Sequence, residues 1–189
     1  MIKIIDTKIL SDNWYTLKKV TYTIQKKGVE SVESREAYDR GNGAVILLYN
    51  STHVILTRQF RLPTFINGNP SGMLIEACAG LLDKSDPETA IRRETEEETG
   101  YKVDKIQKFF QAYMSLGSVT EILHFYIAEY SSQMKKGEGG GLEEEGESIE
   151  VLEIPFHKAY EMIRSGEICD GKTIMLLQYL ILHVFKREA

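Results

Sequence analysis

Residues 86–100, DPETAIRRETEEETG, constrain the fold more than any other stretch. Asp86 is a good helix N-cap, Pro87 suits the first helical position, and Gly100 supplies a C-cap, so one helix is expected between them. Glu94, Glu96, Glu97 and Glu98 crowd the C-terminal end of that helix. Like charges three and four positions apart oppose helix formation, and the macrodipole disfavours negative charge at that end. With about 100° between successive residues, Glu94, Glu97 and Glu98 fall within an arc of about 100°, and Glu96 points elsewhere. A run of acids is ordinarily a solvated face, here with Arg92 and Arg93 as partial compensation. Two features favour a cation instead: the position at the negative end of the dipole, and the preceding EACAGLLDKSD, which would deliver backbone carbonyls nearby. Hard divalent ions such as Mg2+ take oxygen ligands and complete their shells with water and substrate phosphates, so this face could bind an anionic diphosphate through a metal.

The rest of the chain limits the alternatives. Its 189 residues suit one domain with an appendage, and a net charge of -5 gives no broad electrostatic footprint for nucleic acid. No apolar run approaches the roughly 20 residues of a membrane span, and MIKIIDTKIL lacks a secretory core, so no membrane partner and a cytoplasmic location are expected. Cys78 and Cys169 are the two cysteines and read as buried free thiols rather than a disulfide framework. The first forty residues read as strands and turns, with alternation at 20–24 and a turn at 26–28. DRGNG, residues 39–43, marks a change of direction, and a boundary is placed near residue 41, dividing the chain into 1–40 and 41–189. Further strands are expected at 44–50, 53–60, 73–80, 105–114, 121–130 and 149–155. Helices are expected at 155–166 and 172–186. Residues 131–148, rich in Gly and Glu, read as a solvated linker or a mobile loop over a site.

The segment GLLDKSDPETAIRRETEEETGY resembles the Nudix box, G-x5-E-x7-R-E-U-x-E-E-x-G-U with U a bulky apolar residue. Arg93, Glu94, Glu97, Glu98, Gly100 and Tyr101 fall in register. Gly80 stands one residue closer to Arg93 than the pattern has it, Ser85 occupies the place of the first Glu, and Thr95 replaces an aliphatic residue. YDRGNGAVILLYN, RQFR, IEACAGLLD, YMSLGSVTE, GGGLEEE and GEICDGKT extend the resemblance over nearly the whole chain. Together they look like the GDP-mannose pyrophosphatase branch of the Nudix hydrolases, close to the ADP-ribose pyrophosphatases. The resemblance implies an α/β fold, an α/β/α sandwich on a mixed sheet, with an N-terminal β-rich segment that helps form a homodimer. It also implies metal-dependent cleavage of the diphosphate of a nucleotide sugar, with Mg2+ the expected ion and substitution by Mn2+ left open: GDP-mannose to GMP and mannose 1-phosphate, or alternatively ADP-ribose or a related compound. A nucleotide-sugar sensor without turnover is the reading from another class, disfavoured by the retained Glu94, Glu97 and Glu98.

Carried over by position, the resemblance assigns metal contacts to the Ala79 backbone, Glu94, Glu98 and Glu145. It assigns substrate contacts to Trp14, Ser34, Arg35, Glu36, Arg61, Gly80, Leu81, Glu121, Glu144 and Lys172, with Ala79, Glu98 and Glu145 also at the substrate. Arg61 and Lys172 would meet phosphate oxygens. Trp14 reads equally as a stacking face for the base or an anchor at the dimer interface. The water-positioning base stays open among Glu145, Glu121 and Glu98, and Glu143, Glu144 and Glu145 can trade roles. Gly139, Gly140 and Gly141 are expected to hinge the acidic loop. Leu116 and Ser118 stand where the relatives commonly have Pro and Gly, so a positive φ at 118 would strain Ser118.

Overall fold

The computed structural model describes residues 2–142, 144 and 146–185, and the chain divides into two compact units. The first comprises residues 2–42 and 113–122. Its three strands, β1 (Ile2–Asp12), β2 (Thr16–Lys26) and β3 (Val29–Asp39), form an antiparallel sheet in chain order. Lys26 pairs with Val29, so Lys27 and Gly28 alone make the hairpin turn, with φ of 50° and 81°. Two left-handed residues match the right-handed twist of the flanking strands, and Gly28 takes that conformation without strain. The segment 113–122 joins this unit through Tyr38, whose N–H donates to the Ser118 carbonyl at 2.7 Å and whose carbonyl accepts from the Thr120 N–H at 3.1 Å. Ser118 has no positive φ and therefore none of the strain entertained for it. Ile2, Ile4, Ile9, Val29 and Val32 are each more than half exposed on this sheet.

The second unit comprises Gly43–Ala112 and residues 123–185. Its strands are β4 (Gly43–Tyr49), β5 (His53–Phe60), β6 (Met73–Glu76), β7 (Ala79–Leu81), β8 (Gln107–Tyr113), β9 (Ile122–Glu129) and β10 (Glu150–Pro155). They form one sheet ordered β10-β5-β4-β9-β8, with β6 paired to β5 and β7 to β4. The β4–β9 pairing is parallel and those of β5 with β4, β6 and β10 are antiparallel, so the sheet is mixed, as expected. β4 lies centrally and its run from Gly43 to Leu48 is wholly buried, which explains a continuous apolar string rather than an alternating one. Ala44, Ile46 and Leu48 pack with Ile91 of α2 (Pro87–Thr99) in one core. Val45 and Leu47 point the other way. The helices α3 (Phe156–Ser165) and α4 (Gly171–Tyr179) bury Phe156, Ala159, Met162, Leu176 and Leu177. Among the described residues no helix is long and apolar enough to cross a membrane.

Three local features differ from the sequence reading. The strand expected over 73–80 is two strands, because Ala77 and Cys78 step the chain from β5 across to β4; the Cys78 carbonyl accepts from Ile46 at 2.9 Å. The closing helix, expected to run to 186, is α-helical to Tyr179 and then widens into a π-helical turn, with Phe185 N–H reaching Leu180 at 2.8 Å. A short helix α1 (Leu62–Ile66) follows Arg61 and was not anticipated.

Candidate active site

Helix α2 forms as its punctuation predicts. The Asp86 carboxylate accepts from the N–H groups of Glu88 and Thr89 at 3.1 Å each, and Gly100 ends the helix at φ 76°. These bonds satisfy donors that a helix start leaves open. Arg93 holds that end together: its guanidinium meets Glu94 at 2.9 Å, Asp83 at 3.4 Å and Glu97 at 3.7 Å. Glu96 turns away to Lys102 at 3.6 Å. Gly80 on β7 lets the Glu94 carboxyl lie flat against the backbone, since a Cβ at Gly80 would stand 2.6 Å from Glu94 Oε1.

Glu98 is the unusual member. It is only 2% exposed, and its Oε2 atom has no hydrogen-bond partner. Burial pushes its carboxyl up to about 8; the Cys78 thiol and Arg61 oppose this, while Glu147 and Glu94 add repulsion. Glu94 is likewise raised, first by burial and then by Glu97 and Glu147, with Arg93 opposing. Burial also drives the Cys78 thiol well above its ordinary range, with Glu98 adding to it, so this cysteine is an inert neighbour rather than a nucleophile. Cys78 is buried as expected, but Cys169 is exposed.

An orphaned, desolvated carboxylate oxygen beside two further carboxylates fits a hard divalent cation, which would supply the missing counter-charge. Among the described residues no three acidic, His or Cys side chains converge closely enough to hold an ion by themselves. Such an ion would therefore draw on backbone carbonyls and on phosphate oxygens as well.

Glu76, at the end of β6, went unnoticed in the sequence. It is 3% exposed; its Oε1 accepts from Arg61 Nε at 2.6 Å, and its Oε2 accepts from Arg61 Nη2 at 3.3 Å and from the Lys172 ammonium. Burial alone would raise its carboxyl, but Lys172 and Arg61 outweigh that and hold it below the ordinary range. Lys172 also meets Asp170 at 3.0 Å, and Asp170 caps α4 by accepting from Thr173 N–H at 3.0 Å. Thr173 Oγ1 donates to Asp170 at 2.6 Å and accepts from the Ala77 N–H at 2.7 Å. Thr173 is fully buried, so Thr173→Val orphans the Ala77 N–H. The expected loss is about 1–3 kcal/mol, read as a lower denaturant midpoint at unchanged m-value.

The second residue missed is Glu147. Its carboxylate accepts from the Leu142 N–H at 3.1 Å and acts electrostatically on both Glu94 and Glu98. Glu144 is exposed, and Glu145 lies outside the described residues. The glycine run, expected to hinge the loop, is bonded to the helix end in this structure. Gly140 N–H donates to Glu98 O at 2.9 Å, Gly141 N–H to Glu97 O at 3.1 Å, and Ile149 N–H returns to Gly140 O at 3.1 Å. Gly139 has φ 72°, and a Cβ there would collide with the Glu98 carbonyl. Glycine is needed because the loop docks on the helix end, satisfying carbonyls that the helix leaves open.

The structure thus gathers Arg61, Ala79, Gly80, Leu81, Glu94, Glu98 and Lys172 in the second unit, whereas Trp14, Ser34, Arg35, Glu36 and Glu121 belong to the first. Trp14, 82% exposed between β1 and β2, stands edge-on to Tyr15 at 6.3 Å. Ser34, Arg35 and Glu36 lie on β3 opposite Thr21, Val20 and Lys19. Glu121 pairs with Arg40 at 3.6 Å.

Two family models match the chain: a GDP-mannose pyrophosphatase NudK N-terminal domain over residues 1–38 and a NUDIX domain over residues 39–174. The chain is 57% identical over 182 residues to proteins called GDP-mannose pyrophosphatase from Salmonella typhimurium and from Escherichia coli O9:H4, covering 95% of this chain and 94% of each relative. A crystal structure of an ADP compounds hydrolase superposes with a TM-score of 0.74 at 18% identity, covering 98% of this chain and 94% of that one, and so shares the fold. A buried acidic helix end on a mixed sheet, and a family model spanning most of the sequence, lead to one assignment: this chain belongs to the Nudix hydrolases, whose members generally require divalent metal ions.

Proposed function

We propose that this protein hydrolyses the diphosphate linkage of GDP-mannose to GMP and mannose 1-phosphate, using Mg2+. The observation that supports it most is the buried, unpartnered Glu98 Oε2, which acts electrostatically with Glu94 and with Arg61, the latter sharing Glu76 with Lys172. Identity of 57% to GDP-mannose pyrophosphatases over nearly the full length supports the choice of substrate. Glu94, Glu98 and the Ala79 carbonyl would hold the ion, which when bound neutralises phosphoryl charge and lowers the pKa of a coordinated water. Arg61 and Lys172 bind the diphosphate oxygens and offset the repulsion that otherwise shields phosphorus from attack. Glu147, on the docked loop, accepts the proton of the attacking water, the role that the sequence left open among Glu145, Glu121 and Glu98. Burial of Glu98 in the wall of the site keeps competing water away from it.

The same reading includes a homodimer in the cytoplasm. The exposed Ile2, Ile4, Ile9 and Val29, which the strand register places on one side of the three-stranded sheet, offer an apolar face for a second copy. Two free thiols in a chain without a disulfide suit a reducing compartment.

Product analysis on GDP-mannose, ADP-ribose and other nucleotide sugars, each with Mg2+ and with chelator, tests the assignment. GMP and mannose 1-phosphate released fastest, and only with metal, is the expected result; a preference for ADP-ribose, or binding without products, would overturn it. Glu147→Gln is expected to lower kcat by about 10²-fold with little change in KM. Full activity of this variant would return the base to Glu145, Glu121 or Glu98.

A further inference from the structure

Arg61 and Lys172 are 111 positions apart and arrive from different elements, the end of β5 and the start of α4. Long cationic side chains are costly to order, and a site that orders them only on binding loses that entropy from its affinity. Here both are already held by one carboxylate. The Glu76 carboxylate is 4% exposed, with Arg61 bonded through both Nε and Nη2, and Lys172 on Oε2. Glu76 itself is fixed on both sides in the chain. It pairs with Thr57 of β5, whose Oγ1 donates to its carbonyl at 3.3 Å, and the following Ala77 N–H is anchored on Thr173 of α4.

The two cations are not used up by this arrangement. A guanidinium has more N–H donors than the two Glu76 takes, and an ammonium has one beyond those directed to Glu76 and Asp170. The exposure gradient gives the direction. The Arg61 side chain is 39% exposed and that of Lys172 15%, above a carboxylate that is nearly inaccessible. The carboxylate forms the floor, and the surplus donors are the part that solvent and a ligand can reach. Arg61 also interacts with Glu98, so this floor adjoins the acidic end of α2.

We propose that Glu76 is a positioning residue for substrate: it presets Arg61 and Lys172 as a rigid pair of donors for the diphosphate oxygens, and it acts on binding through them without touching the substrate. The proposal rests on the reading of Arg61 and Lys172 as phosphate-binding groups. It explains why an acid stands inside an otherwise apolar strand, where a carboxylate without strong partners is costly. It also separates Glu76 from Glu98: Glu98 Oε2 has no hydrogen-bond partner in the protein, whereas Glu76 is satisfied by the protein's own cations.

The test is steady-state kinetics with Mg2+ and GDP-mannose on Glu76→Gln, Lys172→Met and the double variant, with GDP binding measured in parallel by calorimetry. Glu76→Gln is expected to raise KM by about 10-fold or more and to weaken GDP by a similar factor, with kcat changed by less than about threefold. In the Lys172→Met background the same change should add a smaller factor than in the wild type, since one of the two residues through which it acts is gone and only Arg61 remains. A Glu76→Gln protein with wild-type KM and GDP affinity overturns the proposal, as does a double variant whose effects simply multiply. A loss confined to kcat or to thermal stability overturns it too, because a purely structural carboxylate would give that pattern. If Glu76→Gln does not fold, Glu76→Asp keeps the charge but withdraws it; a KM raised by about threefold or more supports the proposal, and a wild-type KM overturns it. Should the wild-type protein bind GDP but leave GDP-mannose intact, the substrate assignment fails while the GDP affinities still decide the role of Glu76. A wild-type protein that binds no GDP overturns both.

Discussion

Glu98→Gln is expected to lower kcat by at least about 10²-fold while raising the melting temperature of the metal-free protein. The two effects have one cause. Glu98 is buried with Oε2 unpartnered and with Glu94 and Glu147 as acidic neighbours, and its carboxyl is pushed up to about 8, so in the metal-free protein folding bears either a desolvated, repelled charge or, near neutral pH, the uptake of a proton. A neutral amide of the same shape removes both penalties and also removes the charge that would hold the ion. Mg2+ should stabilise the wild-type protein through mass action, by about 2.7 kcal/mol at a hundredfold excess over Kd, and this gain should vanish in the variant. Thermal melts with and without Mg2+, run beside turnover assays, check each part. Near-normal turnover at saturating Mg2+, or an undiminished Mg2+-induced shift, would remove Glu98 from the site.

Gly80→Ala is expected to lower kcat by about 10²-fold through one added methyl group. Gly80 does not have a positive φ, so the backbone itself tolerates alanine. The methyl group instead falls within the space of the Glu94 carboxyl, 2.6 Å from Oε1. Glu94 must swing away, and its 2.9 Å bond to Arg93 goes with it. A misplacement of about 1 Å is enough for a loss of that size. The fold should survive, so an unchanged circular dichroism spectrum with lost turnover is the pattern to look for. Wild-type kcat in Gly80→Ala would mean that the position of Glu94 does not matter.

How much of this was legible in the sequence depended on the range over which each signal acts. The α2 helix was readable because Asp86, Pro87 and Gly100 act locally, and the run buried in β4 was readable because a central strand needs both faces apolar. The division of 73–80 was hidden, since apolar character does not say which neighbour a strand pairs with, and the switch at Ala77–Cys78 is decided by β4, β5 and Thr173. Glu76 left a trace, an acid inside IEACAG, but its partners lie at Arg61 and Lys172 and cannot be read from spacing. Glu147 left none: it is one of several glutamates in a polar loop, and only the docking of Gly140 and Gly141 on the helix end brings it to Glu94 and Glu98. The glycine run shows the same limit. Its composition reads as freedom of motion, whereas positive φ and close backbone approach are what the structure requires of it.

The bond from Ile149 back to Gly140 gives that docked loop a neck. What enters at Gly140 must leave beside it, so the residues in between form a closed excursion whose two ends are pinned to the same helix terminus and to the start of β10. Lengthening such an excursion costs little, because closure entropy grows only slowly with length. Insertions within it that spare Gly141 and Glu147 would leave the sheet and the acidic helix in register, so the segment is a place where the chain can vary in length and charge without refolding the rest.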